Sequence, residues 1–462
     1  MENSYAQLLI GMAMGGRKFH GVRICACMLL LYKIEPQSEA PAFCSCIPRL
    51  QLSYHSLAID RSPEIGLLCC YADTQIPPEE SQHSRCLLKD AIDWPLLLST
   101  ARRHGMFPLL AWHLARLRPG VAPAPILQHV QDEFQRHGRE NLRLIATLVR
   151  VLHSLTQRGL TAIPFKGPVQ ALLLYGNVAL RQFSDLDLFI HLEDLVPVQD
   201  VLRSHGFQPD IELDQQKQMA HVRHGCEMQF TSAKEGICID LHWAFTPRHF
   251  SLGTIQDLWE RTCTLTVAGE QVCTFAPEDL LLVLCIHGYK HYWERLSWLC
   301  DVAMLIRTYP QINFGDALER ASAMGARRIV LLALRLANDI LALRLPEDVS
   351  SLIAAEPELG RLAAMATRRI FAVAPQADGD VARWRFVLAV RERWSDKLVC
   401  AGRFLFTPTR EDWQSLRLPR VLSCLYPAVR VLRIAGRLLG LLPAQPVSAK
   451  PHWPVDQQWQ IP

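Results

Sequence analysis

The apolar run FSDLDLFI, residues 183–190, is interrupted twice, by Asp185 and Asp187. Side chains of a strand alternate between faces, so an extended backbone sends both aspartates one way and Leu186, Leu188 and Ile190 the other. Two carboxylates that close repel each other, and a cation between them removes the penalty. A fold that accepts this strand must bury one face and offer the other to a cation. The preceding segment, LTAIPFKG (160–167), reads as a short apolar strand that ends at Lys166-Gly167-Pro168, with a helix through VQALLLYG and a loop behind it. A third carboxylate, Asp240 in ICIDLHW, interrupts another apolar strand. If both strands share a sheet, Asp185, Asp187 and Asp240 converge on one edge. That donor set suits hard divalent cations, which prefer carboxylate oxygen and tolerate bridging by substrate phosphates.

On either side the pattern is helical. Apolar residues recur at helical spacing from IDWPLLLSTARRHGMFPLLAWHLARL (92–117) and through ILQHVQDEFQRHGRENLRLIATLVRVLHSLTQRG (126–159), where Gly159 marks a helix end. LEDLVPVQDVLRSHG (192–206) predicts a helix, and CEMQFTSAKEGICIDLHWAF (226–245) an antiparallel hairpin turning at SAKEG. PEDLLLVLCIHGYKHYWERLSWLCDVAMLI (277–306) predicts helix starting at Pro277, and further helices follow with a break near AVAPQADGDVARW (372–384). The expected organisation is an α+β fold in four parts. Residues 1–62 form an N-terminal extension without sustained period, 63–155 a helical region, 156–275 the small strand-bearing core and 276–462 a second helical region.

Composition narrows the class. A net charge of +4 over 462 residues makes no strong case for a surface that coats nucleic acid, and leaves room for local basic patches. The 15 cysteines are scattered and form no repeated C-x-x-C, so they read as free thiols in a reducing compartment rather than a zinc ribbon or disulfide framework. ICACMLLLYKI (24–34) is shorter than the roughly 20 apolar residues that a bilayer-spanning helix needs. A cytoplasmic protein with no transmembrane segment is expected.

Together, FKG, LYG, ALRQFSDLDLFI, IDLHW and the 277–306 helix pattern resemble an uncharacterised bacterial nucleotidyltransferase family of the DNA polymerase beta superfamily, over roughly Ile65 to Arg430. The resemblance implies a small mixed-sheet nucleotidyltransferase core with helical flanks. It implies transfer of an NMP group from an NTP to an acceptor hydroxyl with release of pyrophosphate. It also implies that Asp185, Asp187 and Asp240 are the catalytic and metal-holding residues for two Mg²⁺ ions, with Mn²⁺ a substitute. Where the superfamily carries Gly-Ser after its first strand, this chain has Lys166-Gly167-Pro168, and Lys-Gly is the form usual in this family. Lys166 either neutralises phosphate charge or is a solvated strand end, Gly167 would allow close backbone approach, and Arg181 and Ser184 flank the carboxylates as further nucleotide-binding candidates.

Several alternatives stay open at the level of sequence. Arg181 is placed either to meet a phosphate or to pair with Asp185. His242 shares the face of Asp240 and either orients it or packs as a structural histidine. His287 and His291 lie one helical turn apart, but Gly288 stands where a zincin motif requires glutamate, and Lys290 either reaches phosphate or faces water. Arg430, Arg433 and Arg437 predict a solvated basic stripe on a core-packed terminal helix. A metal-dependent glycosyltransferase using a nucleotide sugar and a non-catalytic binding protein on the same fold are the competing functions. The acceptor, whether small molecule, peptide, protein or RNA, has no signature here. Removing Asp185 or Asp187 is expected to abolish transfer while metal-free stability holds or rises, because like-charge repulsion is relieved.

Overall fold

A computed structural model describes residues 62–441 other than 76–86, 89–91, 118–121, 212–214, 251, 256, 373–379, 409–411, 413–414, 417 and 440. The expected N-terminal extension, apart from Ser62, lies outside the described residues. The chain enters through α1 (Pro63–Cys70), α2 (Trp94–Arg103), α3 (Phe107–Leu114) and α4 (Ala124–Gln157). The helical pattern of 92–117 is split at Gly105, whose φ of 69° closes α2, and the Met106 amide bonds Ala101 O at 2.8 Å. At the end of α4, Gly159 takes a left-handed φ of 69° and the Leu160 amide bonds Leu155 O, the helix end anticipated from sequence.

Next come β1 (Ala162–Pro164), α5 (Pro168–Tyr175), β2 (Asp185–Ile190), α6 (Leu195–Ser204), β3 (Phe207–Pro209), α7 (Gln215–His224), β4 (Glu227–Ser232) and β5 (Ile237–His242). The sheet order is β1-β2-β5-β4-β3, with β2 and β5 parallel and every other neighbour antiparallel. The fold is therefore α+β with the mixed sheet that was expected, and β4 and β5 form the anticipated hairpin. A second hairpin, β6 (Thr262–Val267) and β7 (Glu270–Phe275), goes beyond the elements read from sequence. Cys263, Leu265 and Val267 alternate with threonines along β6, and Gly269 turns the chain with φ of 89°. The hairpin is pinned to the core where Thr274 Oγ1 donates to Pro164 O at 3.0 Å.

The remaining helices are α8 (Pro277–Lys290), α9 (Leu296–Thr308), α10 (Phe314–Ala323), α11 (Arg327–Leu341), α12 (Glu347–Ala355), α13 (Glu358–Ile370), α14 (Asp380–Val390), α15 (Trp394–Phe406) and α16 (Tyr426–Leu438). The continuous helix expected over 277–306 is broken. Tyr292 and Trp293 both adopt left-handed backbone, with φ of 57° and 56°. The cause is packing: the fully buried Trp293 ring fills the space beside Gly288, where a Cβ would lie 2.3 Å from it. A second correction concerns α16. Arg430 and Arg433 do not line a solvated stripe but turn inward to the buried Asp412, Arg433 Nε lying 2.7 Å from Asp412 Oδ1.

Each sheet face has its own covering. Leu186, Leu188, Ile190, Ile239 and Leu241 pack with Leu148 and Val151 of α4 and Val198 and Val201 of α6. The other, larger core joins the two helical flanks, since Leu67, Leu97, Leu281, Leu299 and Leu331 belong to one cluster. Both faces of β2 are thus enclosed beyond its first residue, which leaves Asp187 in a low-dielectric setting. Ten described cysteines are all free thiols. No helix among the described residues is long and apolar enough to cross a membrane.

Two buried histidines make stability acid-sensitive. Burial, with Arg103 and Arg295 nearby, pushes His104 down to about 3. Burial pushes His137 down to about 4 against the raising effects of the Arg181 carbonyl and Glu133. Both rings are neutral in the folded chain, whereas the unfolded chain titrates them near 6.5, so the unfolded state binds more protons below that pH and stability falls on acidification. At pH 5 the loss is about 2 kcal/mol for each ring. Denaturation midpoints measured at pH 7 and pH 5 are expected to drop accordingly; equal midpoints contradict the assignment.

Candidate active site

The parallel β2–β5 pairing sets Asp185 beside Cys238, Asp187 beside Asp240 and Phe189 beside His242. Across β5, β4 sets Gln229 beside Asp240 and Glu227 beside His242. Alternation places all these side chains on the sheet face turned away from α4 and α6. Asp187, Asp240 and His242 are buried there, at 6%, 5% and 3% exposure.

Asp187 is the hub. Its Oδ1 accepts from Lys166 Nζ at 2.8 Å and lies 2.9 Å from His242 Nε2. Burial alone would raise this carboxyl, but Lys166 and His242 outweigh it and hold it well below the usual carboxylate range. Lys166 reaches this position because β1 ends two residues earlier, and its side chain is only 12% exposed. It is a buried ion-pair partner and not a solvated strand end. Gly167 follows with φ of 56°, and a Cβ there would lie 3.1 Å from Asp185 O. The close approach that glycine permits is to the backbone of β2 itself.

The other sequence candidates divide. Asp185, the first residue of β2, stays half-buried, and Ser184 stands just before it. Arg181 does not pair with Asp185. It forks onto Asp301 of α9, with Nε to Oδ1 at 3.0 Å and Nη2 to Oδ2 at 2.9 Å, while Tyr175 donates to the same Oδ1 at 2.8 Å. Its carbonyl oxygen is in turn bound by Asn141 Nδ2 at 3.2 Å and lies 3.1 Å from His137 Nε2. Arg181 therefore anchors the loop that delivers β2. His242 orients Asp187 rather than Asp240, and its other nitrogen, Nδ1, lies 3.4 Å from Glu227 Oε2.

Glu227 is the site residue that sequence reasoning missed. Burial would raise its carboxyl, but Lys290, His242 and Lys166 hold it well below the usual range. Lys290 of α8 donates to Glu227 Oε2 at 2.7 Å. Lys290 thus faces the site and not water. The adjacent His291 is pushed down to about 3 by burial and by Lys290 and Lys166, and His287 is lowered by burial, Lys166 and His291. These two rings lie 4.7 Å apart, and among the described residues no third His, Cys, Asp or Glu forms a ligand group with them.

One ligand atom from each of Asp187, Asp240 and His242 lies within 4.8 Å of the other two. The sequence trio was Asp185, Asp187 and Asp240; here His242 takes the place of Asp185 in the tight cluster. Two buried carboxylates on neighbouring rungs of one sheet, with Asp185 one alternation away, fit a divalent cation by donor chemistry.

A protein-family model described as an uncharacterised nucleotidyltransferase matches residues 90–342, more than half of the chain. The span is narrower than the resemblance read from sequence but contains every residue of this site. No curated protein and no solved structure matches the chain.

Proposed function

The chain belongs to this uncharacterised nucleotidyltransferase family, and on that premise we propose that it transfers an NMP group from an NTP to an acceptor hydroxyl and releases pyrophosphate. The observation that carries the reading is the Asp187–Asp240 register on adjacent parallel strands, buried and supported by Lys166 and His242. Asp185, Asp187 and Asp240 would hold Mg²⁺, two ions in this reading, with Mn²⁺ as a substitute. Such ions supply Lewis-acid chemistry, neutralising phosphate charge and lowering the pKa of the attacking hydroxyl. The protein's own groups set the stage. Lys166 and His242 keep Asp187 ionised and fixed, so no proton needs to leave it before ligand binding. Asp240 assists deprotonation of the acceptor, Lys166 offers its ammonium to phosphate oxygen, and Gly167 and Ser184 line the approach.

A nucleotide-sugar transferase fits the architecture less well. Its nucleotide would sit at the carboxyl ends of a doubly wound parallel sheet, whereas β2–β5 is the one parallel pair in this sheet. The reaction product decides between them. Incubation with α-labelled and γ-labelled NTPs, Mg²⁺ and a cell extract is expected to give labelled acceptor from the α-label and pyrophosphate from the γ-label. Release of nucleoside diphosphate from a nucleotide sugar, with no labelled acceptor from any NTP, would overturn the proposal.

A further inference from the structure

The cations around the carboxylates are not equivalent. Lys166 is engaged by Asp187 at 2.8 Å, Lys290 by Glu227 at 2.7 Å and Arg181 by Asp301 at 2.9 Å. Arg295, at the start of α9, differs: among the described residues no carboxylate lies within 4.0 Å of its guanidinium, and its side chain donates no hydrogen bond. Yet it is half-buried. A charge withdrawn from water without a partner is costly, and a ligand that supplies the missing anion recovers that cost.

The loop holding Arg295 is built rather than slack. The left-handed pair Tyr292 and Trp293 reverses the chain after α8, with Trp293 wedged against Gly288. Beyond Arg295, the Leu296 amide bonds His104 Nδ1 at 3.3 Å and the Ser297 amide bonds His104 O at 3.1 Å. Gly105 admits this contact, since a Cβ there would lie 2.8 Å from Ser297 Oγ. The guanidinium lies 5.8 Å from the Trp298 ring centroid, and Trp298 lies beside His291, ring to ring at 5.2 Å. Lys166, Lys290, Glu227 and Arg295 all act on that His291 ring, while Asp185 is the acidic group that acts most on Arg295. One tryptophan ring thus separates Arg295 from His291, whose chain neighbour Lys290 holds Glu227 at the edge of the carboxylate cluster. Consecutive left-handed non-glycine residues are costly, and such strain concentrates where a loop must present a functional group.

We propose that Arg295 grips the terminal phosphates of the incoming NTP, the part that leaves as pyrophosphate, from the α8–α9 turn. The inference rests on the nucleotidyl-transfer reading and adds its phosphate-binding residue. Planar guanidinium matches two phosphate oxygens at once, and the Trp298 ring lies within cation–π reach of it.

The test uses the full chain with Mg²⁺ and two probes, inorganic tripolyphosphate and an α,β-methylene NTP. Arg295→Gln is expected to weaken binding of both about tenfold, with the ligand-free thermal midpoint unchanged or higher and no effect on binding of the corresponding nucleoside. In the wild-type chain, phenylglyoxal labelling of Arg295, mapped by mass spectrometry, is expected to be blocked by tripolyphosphate and not by the nucleoside. This measurement stands even if the variant fails to fold. Unblocked labelling in a chain that binds tripolyphosphate, or a folded Arg295→Gln variant with wild-type affinity, overturns the role of Arg295 and leaves nucleotidyl transfer intact. A wild-type chain that binds neither probe overturns the transfer reading itself.

Discussion

Asp187→Ala is expected to abolish nucleotidyl transfer, by a factor of at least about a thousand, and to destabilise the metal-free protein. The loss of activity follows from removing the carboxylate at the centre of the site, the one that joins Lys166, His242 and the neighbouring Asp240. The loss of stability reverses the expectation drawn from sequence, where two aspartates close in register suggested only repulsion. In the structure Asp187 is the partner of a Lys166 side chain with 12% exposure. Deleting the carboxylate leaves that ammonium largely desolvated, and breaking a buried pair from one side costs about 3–5 kcal/mol. Asp185→Ala, at a half-buried position, is expected to lose activity with little change in metal-free stability. Pyrophosphate release and metal-free thermal melts of the two variants check both statements. Wild-type turnover in Asp187→Ala would remove it from the site, and an unchanged melt would show that the Lys166 pair contributes nothing.

Much of this site is legible in the chain because strand alternation is a strong local rule. Asp185 and Asp187 within an apolar run, and Asp240 within another, announce their faces without reference to the rest of the fold. What alternation cannot supply is register. Only the parallel β2–β5 pairing sets Asp187 against Asp240, and only the β4–β5 hairpin brings Glu227 to His242. Glu227 begins its strand like many half-exposed polar residues, so nothing local distinguishes it until Lys290 arrives from α8. The same limit applies to Arg181, whose partner lies 120 positions away. It applies as well to the break after α8, which carries no proline and arises from a tryptophan ring filling the space beside a glycine. In each case the missing information is a long-range contact.

Asp301→Ala is expected to cost about 3–5 kcal/mol of folding stability, because it strips the counter-charge from a buried guanidinium. Asp301 is 1% exposed and binds both Arg181 and the Tyr175 hydroxyl. Burial opposes the charged form of Arg181, and the Asp301 carboxylate more than restores it. If the pair serves to anchor the 181–184 loop, Arg181→Ala and Asp301→Ala should each be destabilising while the double variant is hardly worse than either, a coupling of about 2 kcal/mol or more. Transfer should slow in all three, since the same loop feeds Phe183, Ser184 and the first carboxylate of β2. A phosphate-binding Arg181 makes the opposite prediction for one variant: freed from Asp301, it would bind the NTP as tightly as before or more tightly. Denaturation midpoints for the cycle, with nucleotide affinity of Asp301→Ala alongside, separate the two. Additive losses, or tighter nucleotide binding on removal of Asp301, would return Arg181 from scaffold to substrate contact.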